Sequence, residues 1–221
     1  MFKKFDSRIS RRDALKLGVL VTAALGMGLP LSLLTKSAVA QDLGTEQLAF
    51  LFDQKKCIGC KLCESACRSA NQEARDEQVK WRRVLDNGGD EGEGHFLSIS
   101  CNHCADPACL TVCPVTAYTK RQDGIVVHNA EKCVGCGYCM YACPYHAPQL
   151  SKKTKRVTKC HFCYSRQDQG QQPACVEACP KKALTYGKLS ELKKAPGGVA
   201  TLKGLPSPTI TNPSWVIIPK E

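Results

Sequence analysis

The sequence predicts an α+β fold made of two similar modules, with loop-rich connections and an irregular C-terminal extension. All 16 cysteines of the 221-residue chain lie between Cys57 and Cys179. They form four motifs, and the first two resemble the last two, which predicts an internal duplication. Short β-prone stretches lie between the motifs. The chain therefore divides into a leader at 1–40, a cysteine-rich region at 41–187 and an extension at 188–221.

The leader has the three parts of a signal peptide. A basic stretch contains Arg11 and Arg12, an apolar run follows at 17–34, and a small-residue end closes at Ala40. The paired arginines predict export by the twin-arginine route with cleavage after Ala40, and therefore a periplasmic location. A retained membrane anchor stays open as the alternative, because about 18 apolar residues can just cross a bilayer.

Four cysteine motifs make up the cysteine-rich region. The spacing C-x2-C-x2-C wraps a loop whose three thiolates converge on one cubane cluster, and a fourth cysteine three residues later binds a different cluster. Gly59 and Gly135 suit such loops because glycine tolerates positive φ and close backbone approach. The cysteines therefore predict four [4Fe–4S] clusters with sixteen ligands. The motifs are Cys57-x2-Cys60-x2-Cys63-x3-Cys67, Cys101-x2-Cys104-x4-Cys109-x3-Cys113, Cys133-x2-Cys136-x2-Cys139-x3-Cys143 and Cys160-x2-Cys163-x11-Cys175-x3-Cys179.

Structural zinc and a disulfide scaffold are the competing interpretations of these cysteines. Structural zinc normally uses two separated C-x2-C pairs, which explains neither the triple-cysteine loops nor the C-x3-C endings. An even number of cysteines in an exported chain permits disulfides, but disulfide scaffolds are usually shorter. The sequence contains no C-x-x-C-H motif for haem attachment. Iron–sulfur clusters are the interpretation that explains every motif.

The formal net charge of +11 raises the question of a nucleic-acid partner. Without residues 1–40 the charge is +6, from 24 basic and 18 acidic residues. Each cluster with four thiolates adds about −2, which offsets the remaining positive charge. We therefore predict no nucleic-acid partner.

Outside the motifs, the sequence predicts strands at 48–52, 125–128 and 183–186. Turn-forming residues predict a hairpin turn at 122–124 and an exposed loop at 87–92. The C-terminal extension is rich in proline and glycine with scattered apolar residues. We expect it to lie on a partner surface, with a flexible end as the alternative.

Side chains beside the cysteines are predicted to support the clusters without binding iron. His103 and His161 lie inside motifs, but sixteen thiolates leave no ligand position for a histidine. Six cations are candidates for raising cluster potentials, with solvated loops as the open alternative. They are Lys120, Arg121, Lys152, Lys153, Lys155 and Arg156. Five aromatic residues are expected to shield clusters from water. They are Tyr138, Tyr141, Tyr145, Phe162 and Tyr164.

From about residue 48 to the C-terminus, the chain resembles the iron–sulfur B subunits of the dimethyl sulfoxide reductase superfamily. The most specific matches are LSISCNHC at 97–104, DPAC at 106–109, KRQDG at 120–124 and CPY at 143–145. They look closest to the dimethyl sulfoxide reductase subunit itself. The leader is a departure, since a signal on the B subunit is more familiar in relatives that serve tetrathionate reductase and formate-dependent nitrite reduction.

The resemblance implies two ferredoxin-like dicluster modules. It also implies which cysteines share a cluster, whereas spacing alone gives only the three cysteines of each motif that converge on one cluster. Motif one would pair with motif four, and motif two with motif three. The implied ligand sets are set 1 (Cys57, Cys60, Cys63, Cys179), set 2 (Cys101, Cys104, Cys109, Cys143), set 3 (Cys133, Cys136, Cys139, Cys113) and set 4 (Cys160, Cys163, Cys175, Cys67).

The resemblance also implies a non-catalytic electron-transfer subunit of an oxidoreductase complex used in anaerobic respiration. Its implied partners are an integral membrane quinol-oxidising subunit and a molybdopterin catalytic subunit. The sequence has no H-E-x-x-H, P-loop or dinucleotide fingerprint that would indicate an independent enzyme. The alternative function is a free periplasmic ferredoxin-like carrier that passes electrons to a multihaem cytochrome.

Overall fold

The computed structural model describes residues 46–86 and 94–220. The signal peptide predicted at 1–40 and the loop predicted at 87–92 lie outside the described residues. The described strands are β1 (Leu48–Asp53), β2 (Arg83–Asp86), β3 (Phe96–Ile99), β4 (Tyr118–Lys120), β5 (Val126–His128), β6 (Gln149–Leu150), β7 (Val157–Thr158), β8 (Leu184–Lys188) and β9 (Trp215–Ile218). The described α-helices are α1 (Leu62–Ala70), α2 (Ala108–Thr111), α3 (Tyr138–Ala142), α4 (Tyr164–Gln167), α5 (Ala174–Glu177) and α6 (Leu189–Leu192).

A three-stranded sheet with the order β8-β1-β9 brings distant parts of the chain together. β1 runs antiparallel to β8 and parallel to β9, so that Phe50 lies opposite both Tyr186 and Trp215. Phe50 and Phe52 are buried in the main core. They lie two residues apart and therefore point to the same face of the sheet. The sheet places the segment entering motif one next to the segment leaving motif four.

Three two-stranded pairs, β2–β3, β4–β5 and β6–β7, complete the described strand pairing. The turn between β4 and β5 contains Gly124, whose φ is +76°. The Ile125 amide donates a hydrogen bond of 3.1 Å to the Asp123 carboxylate in the same turn. The predicted hairpin is therefore confirmed, and the three predicted strands correspond to β1, β5 and β8.

The prediction that the C-terminal extension is irregular is wrong where α6 and β9 form. Trp215 and Ile217 are 4% and 0% exposed and belong to the main core. A continuous apolar run such as WVII is typical of a strand buried on both faces, and it lacks the alternation that marks a half-buried strand in a sequence. Residues 215–217 are therefore buried within the chain itself. Partner binding by the rest of the extension stays a prediction.

The helices pair the motifs across the sequence. α1, which carries Cys63 and Cys67, packs against α5 of motif four, while α2 of motif two packs against α3 of motif three. Motifs one and four thus form one module, and motifs two and three form the other. Among the described residues, no helix has the length and apolar character needed to cross a membrane.

Candidate iron–sulfur sites

The four cysteines of set 1 line one cavity. Motif one supplies three of them, and Cys179 arrives beside them because β8 follows motif four and pairs with β1. The Ser98 hydroxyl lies 3.5 Å from Cys63 Sγ. A cavity walled by four thiols offers the donor set of a [4Fe–4S] cluster.

The four cysteines of set 2 line a second cavity. Its wall also contains Asn102 and His103, whose Nδ2 and Nε2 atoms are buried without a hydrogen-bond partner among the described residues. His103 Nδ1 accepts a 3.0 Å hydrogen bond from the Val126 amide, so Nε2 carries the hydrogen. Buried donors without partners are costly, and cluster sulfur atoms accept hydrogen bonds. These orphaned donors therefore fit a cluster in this cavity.

The four cysteines of set 4 are all buried. Asn71 Nδ2 lies 3.8 Å from Cys67 Sγ and 3.9 Å from Cys163 Sγ, although these cysteines come from motifs one and four. Cys67 and Cys160 lie in one apolar cluster with Trp81. The structure therefore brings the C-terminal cysteine of motif one to the triplet of motif four.

Set 3 forms around the contact between α2 and α3. Cys113, Cys133 and Cys139 belong to one core cluster, and Cys139 also interacts electrostatically with the exposed Cys136. The amides of Gly135 and Val157 each donate to Cys133 Sγ at 3.4 Å. Amide hydrogen bonds to cysteine sulfur are a usual feature of cluster loops and favour the reduced cluster.

The backbone of the two C-x2-C-x2-C loops follows the same pattern. Gly59 and Gly135 have φ of +68° and +72°, which confirms the expectation that these glycines adopt positive φ. Two residues later, Lys61 and Gly137 are also left-handed, with φ of +58° and +79°. A Cβ at Gly135 would collide with the Lys155 carbonyl oxygen. The loops of motifs one and three are therefore geometrically equivalent.

Burial is the main influence on the cysteine thiols. Burial first, and neighbouring thiolates with it, raise the pKa of Cys67, Cys104 and Cys109 to about 12. Such thiols keep their protons at neutral pH unless a positive charge lies next to them. Bound iron supplies that charge and displaces the proton. The sites are therefore suited to coordinated cysteines.

The four sets lie in the order 1, 4, 2, 3. Arg82 interacts with cysteines of sets 1 and 4, and Cys160 of set 4 interacts with Cys101 of set 2. Tyr118 packs in one core cluster with Cys109 of set 2 and Cys139 of set 3. Burial, and then Cys139, raise the pKa of its hydroxyl. At the two ends of this row lie Cys60 and Cys136, the two exposed cysteines of the sixteen.

Two family models match the sequence, and both are described as 4Fe-4S dicluster domains, at residues 56–117 and 93–189. The probable anaerobic dimethyl sulfoxide reductase chain YnfG of Escherichia coli is 44% identical over 186 residues, which cover 79% of this chain and 90% of the relative. The B subunit of the anaerobic dimethyl sulfoxide reductase of Haemophilus influenzae is 43% identical over 188 residues, 80% of this chain and 91% of the relative. This protein belongs to the family of dimethyl sulfoxide reductase iron–sulfur B subunits. Its membership confirms the predicted resemblance.

The thiosulfate reductase electron transfer subunit PhsB of Salmonella typhi is a further relative of this B subunit. It is 38% identical over 151 residues, 66% of this chain and 79% of the relative. Such names confirm the predicted role of an electron-transfer subunit that is not itself the catalytic chain. The dicluster domains confirm [4Fe–4S] clusters as the cofactor class.

The cations singled out in the sequence of this B subunit are mostly solvated. Lys120 donates to the carbonyls of Cys104 and Ala105, at 3.1 and 2.8 Å, and Arg121 pairs with Asp168 at 2.7 Å. The other four cations are exposed. The buried cations are instead Arg82 and Lys159, each 3% exposed, which sequence reasoning missed. No motif marks them, because their burial depends on tertiary packing.

The aromatic residues and histidines of the B subunit divide by burial. Tyr145 and Phe162 are buried in the main core, as expected of residues that exclude water. Tyr138 and Tyr141 are 61% and 91% exposed, so the expectation that they shield a cluster is wrong for the described chain. His103 is 1% exposed and lines the set 2 cavity beside the cysteines.

Proposed function

We propose that this B subunit carries electrons through four [4Fe–4S] clusters, from an integral membrane quinol-oxidising subunit to a molybdopterin catalytic subunit of a respiratory reductase. The observation that carries this proposal is the grouping of four cysteines from two different motifs around one cavity, which occurs in both set 1 and set 2. A bound [4Fe–4S] cluster supplies a site that takes up and releases one electron. Sets 1 to 4 are the proposed ligand sets.

The contacts of the described residues support this assignment of ligands. Sets 1 and 2 each line a single cavity, and no cysteine of another set contributes to either wall. For set 4, the Asn71 amide lies near the sulfur atoms of both Cys67 and Cys163. For set 3, Cys113, Cys133 and Cys139 share one core cluster, which also contains Cys109 of set 2. The protein's part is to hold the four sites at fixed separations, donate hydrogen bonds to sulfur and exclude water.

Both ends of the row are exposed and apolar, which fits two protein partners. Beside Cys60, Ile58 and Leu62 are 56% and 48% exposed. The other end has Val134 and Tyr141 beside Cys136, 65% and 91% exposed. Large exposed apolar side chains grouped together are typical of protein–protein contacts. One apolar surface at each end suits entry of electrons from one partner and exit to another.

The leader supports a periplasmic location, with the subunit held at the membrane through its partners. Twin-arginine export carries folded proteins, so clusters can be inserted before the chain reaches an oxidising compartment. Relatives named for dimethyl sulfoxide and thiosulfate reduction suggest that the catalytic partner reduces an S-oxide or another sulfur compound.

Affinity purification of the tagged full-length chain from its native membrane tests the proposed complex. We expect a molybdenum-containing chain and an integral membrane chain to co-purify in equal amounts with the B subunit. Recovery of the B subunit alone from the soluble periplasmic fraction would contradict the proposal and favour the free carrier that reduces a multihaem cytochrome.

A further inference from the structure

Arg82 is a buried cation held by polar contacts that leave its charge uncompensated. It is 3% exposed. Its Nη1 donates to Ser98 Oγ at 3.0 Å, and its Nη2 donates to Ser100 Oγ at 2.9 Å. The guanidinium lies over the Phe50 ring, 4.6 Å from the ring centroid. Hydroxyl groups and an aromatic face solvate the cation but carry no negative charge.

No carboxylate compensates this charge within the described residues. Arg82 forms no ion pair there, and its Nε has no hydrogen-bond partner. Buried charges in proteins are normally paired or placed beside metal centres, because an uncompensated charge in a low-dielectric interior is strongly unfavourable. The charge of Arg82 therefore requires an anionic neighbour.

The neighbours of Arg82 are cysteines from two different ligand sets. Its charge interacts with Cys63 of set 1 and with Cys67, Cys160 and Cys175 of set 4. Ser98, which accepts from Nη1, also lies 3.5 Å from Cys63 Sγ. Arg82 also lines one pocket together with Cys67 of set 4. The guanidinium thus lies close to both sites, and its position is fixed by Ser98 and Ser100 at the end of β3.

We propose that Arg82 is the shared counter-ion of the clusters held by sets 1 and 4 and raises the reduction potential of both. This inference rests on the proposed function, which places clusters at these sets. A reduced cluster carries one more negative charge than an oxidised cluster, so a nearby cation stabilises the reduced form. Burial strengthens the effect because the interior screens charge poorly. A single cation close to two sites raises the reduction potential of both clusters, so it stabilises an electron on either cluster.

The test is a potentiometric titration of the intact complex, monitored by electron paramagnetic resonance. It compares wild type with the Arg82→Gln and Arg82→Lys variants. In R82Q we expect two of the four midpoint potentials to fall. At the original midpoint the ratio of reduced to oxidised cluster should drop about tenfold, which corresponds to about 59 mV for a one-electron couple. R82K retains the positive charge, so both midpoint potentials should stay close to their wild-type values. Unchanged potentials in an R82Q complex with full iron would overturn the inference.

Lys159→Gln is the matched control, because Lys159 is equally buried and its charge interacts with Cys109 and Cys143 of set 2. Its Nζ also donates to the Cys160 carbonyl of set 4 at 3.0 Å. Its removal should shift the set 2 cluster most and leave set 1 unchanged. A shift of the same two clusters in both variants would contradict a specific role for Arg82.

Iron content separates the remaining outcomes. If R82Q loses iron while R82K retains it, the positive charge itself is needed, which supports the counter-ion role. Loss of iron from both variants would show that guanidinium shape and not charge is required, and would overturn it. A wild-type complex without four clusters would instead contradict the proposed function.

Discussion

At the scale of single residues, Gly135 is a point where the cluster loop depends on the absence of a side chain. Its φ is +72°, and a Cβ would collide with the Lys155 carbonyl. We expect Gly135→Ala to destabilise the fold by about 1–3 kcal/mol through backbone strain and collision. It should also release iron from set 3. Iron per chain and the thermal unfolding midpoint measure both effects.

Gly170→Ala is the control for this prediction. Gly170 also has positive φ, +76°, but nothing lies within 4 Å of the position that a Cβ would take there. This variant should show only the strain of the left-handed backbone, about 1 kcal/mol, and keep all its iron. Equal loss of iron from both variants would show that the collision at Gly135 is unimportant.

Thr211 tests whether polar side chains in the set 2 cavity serve a cluster. It lines this cavity, and its hydroxyl interacts with the Cys104 thiol and with the Tyr145 hydroxyl. If the hydroxyl donates to cluster sulfur, Thr211→Val removes about 1 kcal/mol of stabilisation of the reduced form. We expect one midpoint potential to fall in a redox titration. Thr209→Val, at an exposed position, is the control, and identical potentials in wild type and T211V would contradict the assignment.

The residues that could be predicted from sequence are those whose chemistry depends on local spacing. The sixteen cysteines and the positive φ of Gly59 and Gly135 follow from the motif itself. Arg82 could not be recognised, because it lies in a basic stretch with Arg83 that resembles a solvated surface. Thr211 could not be recognised either, since it is more than a hundred positions along the chain from Cys104 and enters the cavity only through folding.

At the scale of elements, β9 places part of the C-terminal extension in the core, whereas the sequence led us to expect the extension on a partner surface. Trp215 is 4% exposed and donates from Nε1 to the Ala200 carbonyl at 2.8 Å. We expect Trp215→Ala to cost about 3–5 kcal/mol, as for other buried aromatic residues. Denaturant unfolding of the purified complex measures the loss.

Ile210→Ala is the comparison within the same extension, because Ile210 is 59% exposed. It should change stability by less than about 0.5 kcal/mol. A larger effect of Ile210→Ala than of Trp215→Ala on stability would contradict the packing of β9. An effect of Ile210→Ala on co-purification alone would support partner binding by the exposed part of the extension.

Which elements the sequence could predict depended on their environment. β5 and β8 lie next to turn-forming residues, and their apolar and polar side chains alternate enough for the strands to be recognised. β1 is rich in aromatic residues. β9 was missed because it is short, continuously apolar and surrounded by proline and glycine. Its partner β1 is more than 150 residues away in sequence, so nothing local indicates parallel pairing.

At the scale of the whole molecule, the two apolar ends of the row of sites should bind different partners. Ile58→Ser and Tyr141→Ser remove exposed apolar surface beside Cys60 and Cys136. We expect each variant to weaken one partner contact about tenfold or more and to keep full iron. Co-purification of the tagged chain measures both contacts. Each variant is the control for the other, and loss of the same partner from both would contradict two separate docking ends.

The order of the sites belongs to the same scale and was the least accessible from sequence. Spacing alone gave four triplets and left the pairing of the fourth cysteines open. The resemblance to B subunits implied the sets. The β1–β8 pairing and the contacts of α1 with α5 and of α2 with α3 support the pairing of motif one with motif four and of motif two with motif three. The loops of motifs one and three look alike in sequence, and nothing in them shows that they lie at the exposed ends of the row. Their exposure depends on folding.

The content of iron, acid-labile sulfide and zinc per chain, measured on anaerobically purified protein together with electron paramagnetic resonance after reduction, tests the central claim most directly. The account predicts roughly sixteen irons with matching sulfide and spin-coupled signals from four clusters. Zinc without sulfide, or about half the iron, would contradict a path of four clusters.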